Sequence, residues 1–494
     1  MKKVSNIFLV VLFSALLLLV GVKTMIPSMG KIVDILKQRD TVDTATVQLV
    51  ESTLKDSLWG KSKFINLLGR VEKLQRKQLV GENQFYQDKD GMMHLCRQSG
   101  DFSSLVDSVD ELSTVLKDRQ IPLLLCQTAE RASYGDKYSK LFDGSSLEYI
   151  EPLHERMKDK CFYLSYPDVF ENAGMSKKDI FFQTDVHYTT EAEFTALKAI
   201  ADVLKNEIGI TLSEKENVLD KSQYEVIEKP FIGNLAYSVG KAYTGADSFE
   251  LYYPKFESSL RLENPSQSLK KEGKFSDVCM NGYIENGYTD QWTYWVTDYL
   301  QYPSPFYMIE NQKIGETNIL VICDSMAFRT VSYLSLMCHS ITILDPRSFG
   351  ETTYLSNALK ADFDAVIVIA TSNLLDGIGD SNPNALDAEI ISNTAPSIVN
   401  HTDSYNFDIT VKNTGTRTWS ENAQNRLCIW QDGVDWGYRI YLPDGVTVQP
   451  GEEYTFTLNG FVLPEAESTY LEFQMLQEGV CYFGEKQRAD IRAE

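Results

Sequence analysis

Two short segments of the chain carry residues able to act on a bond. The first is Asp324-Ser325-Met326, which follows the apolar run NILVIC at 318–323 and precedes a helix-compatible stretch, AFRTVSYLSLM. A serine at such a strand-to-helix turn stands beside helix N-terminal N–H groups that can stabilise an oxyanion. Serine is a weak nucleophile unaided, so a base must be found. The chain has five histidines, His94, His154, His187, His339 and His401. His187 fits best, because Asp185 lies two residues before it and residues i and i+2 of an extended loop face the same side. That spacing lets a carboxylate hold the imidazole in the tautomer whose other nitrogen accepts a serine proton. The same spacing also arises by chance, and the competing reading has His187 capping or packing near the helix that follows it. That helix carries Phe194, Leu197, Ala201 and Leu204 at spacings of three and four, with Thr190 and Glu193 as a capping box at its start.

The elements that must position these residues are announced by continuous apolar runs. IPLLLC (121–126), CFYLSY (161–166), NILVIC, ITIL (341–344) and AVIVIA (365–370) are separated by helix-length segments. Such runs mark parallel strands covered on both faces by helices. The expected fold is therefore α/β, a doubly wound parallel sheet over 91–375 with its chemistry at the carboxyl ends of the strands. Periodicity weakens over 210–301, which reads as a large insertion placed to cover the site. Asn373, just past AVIVIA, is a candidate oxyanion donor, with a turn role as its alternative. Residues 376–397, with DGIGDSNPNA, have linker composition. Beyond them, 398–494 shows short alternating runs at the spacing of an all-β sandwich.

Before the α/β region, residues 27–90 read as a polar helical stem with Leu54, Leu58, Phe64, Leu67 and Leu68 among many charges. Residues 1–26 differ from the rest. Lys2 and Lys3 precede an apolar run from Ile7 to Val22, which suits a secretory signal or a single membrane anchor with the lysines cytoplasmic. The absence of a clear small-x-small cleavage site favours the anchor, and a buried soluble helix is the bland alternative. Either targeting reading sends the remaining chain outside the cytoplasmic membrane.

Composition limits the function classes. With 43% hydrophobic and 23% charged residues among 494, the chain is globular, and its formal net charge of −22 disfavours a nucleic-acid partner. The longest basic stretch, around Arg70 to Lys77, is interrupted by Glu72 and reads as a solvated helix face. The eight cysteines give no zinc spacing and no CxxC pair. Cys126 and Cys323 sit in apolar runs as small hydrophobes, while Cys428 and Cys481 fall in the same terminal region, where the sequence leaves open whether they pair. No nucleotide or metal motif is present, so no cofactor is implied.

TDVHYTTEAEF resembles the TD-x-HW-T signature of the DHHW protein family and the related alginate O-acetyltransferases of the SGNH hydrolase superfamily. NILVICDSMAFRTVSYLSLMCHSITILDPRSF resembles the nucleophile block of the same group, down to a second strand ending in Asp345-Pro346-Arg347. Weaker likeness in PFIGNLAYSVGKAY and SDVCMNGYIENGY extends the resemblance over about 85–375. It implies Ser325 as nucleophile, His187 as general base and Asp185 as orienting acid. Val186 replaces the first His of the family name, Cys323 replaces the glycine of a GDS-type block, and Tyr188 replaces the Trp and becomes the substrate-contact candidate. The resemblance further implies a cell-surface polysaccharide as substrate and a multispanning membrane acyltransferase as acyl donor.

The C-terminal VKNTGTRTWS, VQPGEEYTFTL and LPEAESTYLEFQML resemble the Ig-like domain first described next to a breast-cancer gene. Trp419 would then pack in the sandwich, and core or scaffold roles are also expected of Trp430 and Trp436. Together these readings make the chain an extracytoplasmic, membrane-anchored O-acyltransferase or esterase. The rival is a surface protein that retains the fold to bind glycan or a partner without catalysis.

Overall fold

The computed structural model describes residues 2–37, 44–264, 268–280, 304–400, 403–462 and 469–493. His401 and most of SDVCMNGYIENGY lie outside the described residues.

The N-terminal apolar run forms part of one helix, α1 (Lys2–Lys37), longer than the expected anchor and passing through Pro27. It is long and apolar enough to cross a membrane. The stem is two further helices, α2 (Thr44–Asp56) and α3 (Lys61–Leu74). It ends earlier than residue 90, because β1 (Leu79–Val80), β2 (Phe85–Gln87) and β3 (Met93–Leu95) form a small antiparallel sheet. Val80, Phe85 and Met93 of that sheet share a core with Leu235, Val239 and Tyr243 of the insertion.

All five apolar runs are strands of one sheet: β4 (Leu123–Gln127), β5 (Phe162–Ser165), β11 (Asn318–Ile322), β12 (Ser340–Leu344) and β13 (Ala365–Ala370). They lie parallel in the order β5-β4-β13-β11-β12. Successive side chains alternate between the faces of a strand. Thus Ile319, Val321 and Ile367 enter one core, while Leu320, Ile322 and Val366 enter the other, together with helix α4 (Ser103–Asp118). Burial on both faces is why β4, β11, β12 and β13 read as unbroken apolar runs; β5, at the sheet edge, is only half-buried.

The sheet is mixed rather than purely parallel. The insertion contributes a hairpin of its own, β6 (Tyr224–Phe231) with β7 (Asp247–Pro254), and two strands that extend the main sheet, β8 (Leu260–Asn264) and β9 (Leu269–Gly273). With β10 (Phe306–Asn311) they continue past β12 as antiparallel strands in the order β12-β10-β8-β9. In β8 the inward Leu260 and Leu262 alternate with Arg261 and Glu263, so it lacks the continuous hydrophobicity of the parallel strands, while in β10 the buried Tyr307 and Ile309 alternate with the half-buried Phe306 and Met308.

The C-terminal region is all β. A three-stranded sheet (Ala388–Asn393, Tyr405–Asn413, Glu453–Phe461) and a four-stranded sheet (Val434–Tyr441, Asn425–Gln431, Tyr470–Gln477, Cys481–Asp490) share one core containing Trp419. Ala388–Asn393 belongs to this unit, so 376–397 is only partly a linker. Gln477 joins the two units by accepting bonds from the Thr353 N–H and hydroxyl at 2.9 and 2.8 Å. Trp430 lies under the Lys486 ammonium, 3.4 Å from the ring centroid, whereas Trp436 is half exposed rather than core. The eight cysteines are free thiols, Cys428 and Cys481 included.

Candidate functional site

Parallel register sets the site. Ile322 is level with Leu344 on β12 and Val368 on β13, and Ala370 is level with Gln127 on β4. The segments leaving these strands therefore meet at one carboxyl edge: Asp324-Ser325, Asp345-Pro346-Arg347, Thr371-Ser372-Asn373 and Thr128 to Glu130.

Asp324 shapes the turn that presents Ser325. It is fully buried, and its Oδ1 accepts the Met326 N–H at 2.8 Å, capping the turn Ser325–Ala327. Its Oδ2 accepts the Thr371 hydroxyl at 2.8 Å and the Asn373 side-chain amide at 2.6 Å. Asn373 thus braces the residue beside Ser325. An Asn amide carries two N–H bonds, so an oxyanion role would fall to the second.

His187 reaches Ser325 from the other side. Its Nε2 is 3.0 Å from Ser325 Oγ, and its Nδ1 is 2.5 Å from Asp185 Oδ1. The backbone N–H of His187 also donates to Asp185 Oδ1, at 3.0 Å. The segment is a run of bends rather than an extended loop, and a carboxylate gripping the N–H two residues on is what turns the imidazole toward it. Asp185 Oδ2 accepts the Asn234 N–H at 2.8 Å. Burial acts to raise the Asp185 carboxyl, but the His187 charge and these N–H bonds outweigh it and hold it well below the usual carboxylate range.

The insertion closes on this loop from behind. Asp247 accepts the N–H groups of Gln183 and Thr184 at 2.9 and 2.8 Å, and the Gly233 N–H donates to Thr184 Oγ1 at 2.9 Å. Gly233 is there for close approach: a Cβ on it would lie 2.2 Å from Asp185 Cβ and 2.4 Å from the Thr184 carbonyl oxygen.

Three side chains at the site escaped sequence reasoning. Arg329, 1% exposed on the helix Phe328–Leu334, donates from Nε to Glu193 at 2.8 Å and from Nη2 to the Tyr188 carbonyl at 2.9 Å. Glu193 also accepts the Thr330 N–H at 2.8 Å. The helix Thr190–Val203 is capped instead by Thr189, whose hydroxyl accepts the Ala192 N–H. Glu193 is therefore a partner of the Ser325 helix, not half of a capping box. Its signal in the sequence was Arg329 itself, a lone charge in an otherwise uncharged helix. Glu130, past the end of β4, accepts from the Ser372 N–H and hydroxyl at 3.0 and 3.1 Å, while Arg97 donates to the same hydroxyl at 2.6 Å. Burial pushes the Glu130 carboxyl up to about 7 against the pull of Arg97 and Ser372.

Tyr188, expected to touch substrate, points into the core here. It is 1% exposed, packs against Phe170 and Phe181, and donates its hydroxyl to the Ala129 carbonyl at 2.7 Å.

Fold and site define a mixed α/β chain with a serine, an imidazole and a carboxylate aligned in one hydrogen-bonded line at the sheet's carboxyl edge. No family model and no curated protein matches the chain by sequence. Among solved structures it is similar to PatB1 of Bacillus cereus, at 16% identity over 60% of this chain and 98% of that one, with a TM-score of 0.46. It is also similar to a DHHW family protein from Eubacterium siraeum, at 13% identity over 60% and 92% with a TM-score of 0.43. A third similar structure is the O-acetyltransferase domain of Pseudomonas putida AlgJ, at 12% identity over 60% and 93% with a TM-score of 0.33.

Proposed function

We propose that the chain is a membrane-anchored, extracytoplasmic O-acyltransferase or esterase acting on acetyl groups of a cell-surface polysaccharide, with its C-terminal Ig-like unit as scaffold. The observation that carries this reading is the line Ser325 Oγ, His187 Nε2 at 3.0 Å, His187 Nδ1 and Asp185 at 2.5 Å.

In the first half-reaction Ser325 Oγ attacks the acyl carbonyl carbon while His187 Nε2 takes the hydroxyl proton. Asp185 stays ionised and stabilises the imidazolium. The C–O π electrons move to the carbonyl oxygen, giving a tetrahedral oxyanion beside the turn Ser325–Ala327 and Asn373. Collapse expels the donor's leaving group, which receives the proton from His187 and leaves an acyl ester on Ser325. In the second half-reaction His187 deprotonates a sugar hydroxyl or water, which attacks that ester to give a second tetrahedral oxyanion; its collapse breaks the Ser325 Oγ–acyl bond, and Ser325 takes the proton back from His187. The motif resemblance makes the acyl group acetyl and points to a multispanning membrane acyltransferase as its supplier.

A fluorophosphonate probe tests the reading, with Ser325→Ala as control. Labelling of the full chain that is lost in Ser325→Ala supports an activated serine. A wild-type chain that takes no label favours a glycan- or partner-binding protein instead. Acetyl-ester turnover with and without an oligosaccharide acceptor then separates transferase from esterase.

A further inference from the structure

Helix α3 presents an apolar stripe that nothing else among the described residues covers. Phe64, Leu67, Leu68, Val71 and Leu74 recur at helical spacing and are all exposed, Leu68 by 56% and Leu74 by 84%. The opposite face is docked. The Asn66 side chain accepts the Ala242 N–H at 2.8 Å, Lys73 donates to the Tyr243 carbonyl at 3.0 Å, and a Cβ on Gly69 would lie 2.6 Å from the Val239 carbonyl oxygen. Such a stripe on a folded domain marks an interaction surface.

Charge and position say what covers it. Residues 61–77 hold six basic side chains against one acidic one, Glu72, within a chain of net charge −22. At 100° per residue, Lys61 flanks the stripe on one side and Lys63 and Arg70 on the other. An apolar face edged by cations suits the interface of an anionic bilayer, where lysine and arginine meet headgroups while leucine and phenylalanine enter the acyl boundary. The chain also returns α3 to the right height. α2 packs back along α1, and Thr24 Oγ1 accepts the Trp59 N–H at 3.0 Å. α3 therefore starts level with Thr24, two residues beyond the apolar run that ends at Val22.

We infer that α3 is a second membrane contact, lying along the surface of an anionic bilayer beside the N-terminal span. This rests on the anchor reading of α1. Because α3 is docked on the segment 234–244, whose Asn234 N–H holds Asp185, the contact keeps the Ser325 edge close to the bilayer. A membrane-held acyl donor would then be within reach without release into solvent.

The test uses the full chain, one copy per nanodisc, in phosphatidylglycerol and phosphatidylcholine with brominated acyl chains. A Leu68→Trp variant reports contact at α3 and a Val434→Trp variant on the β unit is the control, each read as the difference from wild type, whose six tryptophans include Trp59 beside Thr24. An apolar face sinks roughly 5–10 Å into the interface, so the indole introduced at 68 should lose about half its emission or more, and the one at 434 none. Adding Lys63→Glu and Arg70→Glu should weaken the quenching. Equal, absent quenching at both positions with an intact N-terminus, verified by mass, overturns the α3 contact and leaves the anchor standing. A blue-shifted but unquenched indole at 68 also overturns it, because the stripe is then covered by protein, whether a second copy or another partner. A chain cleaved before Thr24 overturns the anchor reading itself.

Discussion

Arg329 and Glu193 form a buried ion pair, Nη2 to Oε1 at 2.7 Å, that joins the helix after Ser325 to the helix after His187. Both side chains are almost wholly buried, and Arg329 also lies over the rings of Phe182 and Phe249. The pair spans 136 positions in sequence. With the bonds from Arg329 to the Tyr188 carbonyl and from the Thr330 N–H to Glu193, it ties together the segments bearing the proposed nucleophile and its base.

Removing one partner should be costly in two ways. Arg329→Met or Glu193→Gln leaves a buried charge or donor unpaired, at about 3–5 kcal/mol of stability. The double variant Arg329→Met with Glu193→Leu should recover most of that stability, since apolar replacement of a buried pair is often neutral. It should not recover kcat, because the link setting the Ser325 to His187 separation is gone. Thermal unfolding read beside kcat and KM checks this, and a double variant with wild-type kcat would show the pair to be structural only.

Gly233→Ala should displace the Asp185 loop, because the added methyl would sit 2.2 Å from Asp185 Cβ. Overpacking of this kind costs about 1–3 kcal/mol, and kcat should fall with little change in KM. Gly144→Ala, with open space around its Cβ, is the matched control and should leave both unchanged.

Glu130 gives a pH signature. Its carboxyl titrates near 7 in the folded chain against an ordinary value of 4.5. Below about 4.5 it is protonated in both states and costs nothing; as pH rises toward 7 the unfolded chain ionises first, and stability is lost. The loss amounts to at most about 3 kcal/mol and is complete above the folded value. Glu130→Gln removes it. The stability difference between variant and wild type, from urea unfolding, should rise with pH between about 4.5 and 7 and level off above.

Tyr188→Phe should cost about 1–2 kcal/mol by leaving the Ala129 carbonyl without its hydroxyl donor. KM for the acyl substrate should not change. An altered KM with unaltered stability would instead support the substrate-contact role expected from the sequence.

The legible parts of the fold were those whose environment is uniform. β4, β11 and β13 are buried on both faces, so their sequences betray them without knowledge of their neighbours. β8 and β9 are not, since Arg261 and Glu263 interrupt the apolar residues of β8 and the edge strand β9 carries Lys270, Lys271 and Glu272 in a row, and they read as irregular insertion. At the site, Asp185 and His187 were legible because their contact is local, two residues apart, and Ser325 because it ends an apolar strand. Glu193 with Arg329, Glu130 with Ser372 and Gly233 with Asp185 depend on approaches between distant segments, which no local spacing encodes. The burial of Tyr188 was not legible, because an aromatic beside a histidine looks the same in sequence whether it faces the core or a ligand.

The central claim is that Ser325 is the nucleophile and His187 its base. The most direct test is to mix the full chain with a chromogenic acetyl ester, quench within the first turnover, and map acetylated peptides by mass spectrometry. One acetyl group is expected on the peptide containing Ser325, accumulating in wild type and slowed by several orders of magnitude in His187→Ala. Acetylation of Ser325 at an unchanged rate in His187→Ala, or an acetyl group that never appears on Ser325 while the ester is consumed, would contradict it.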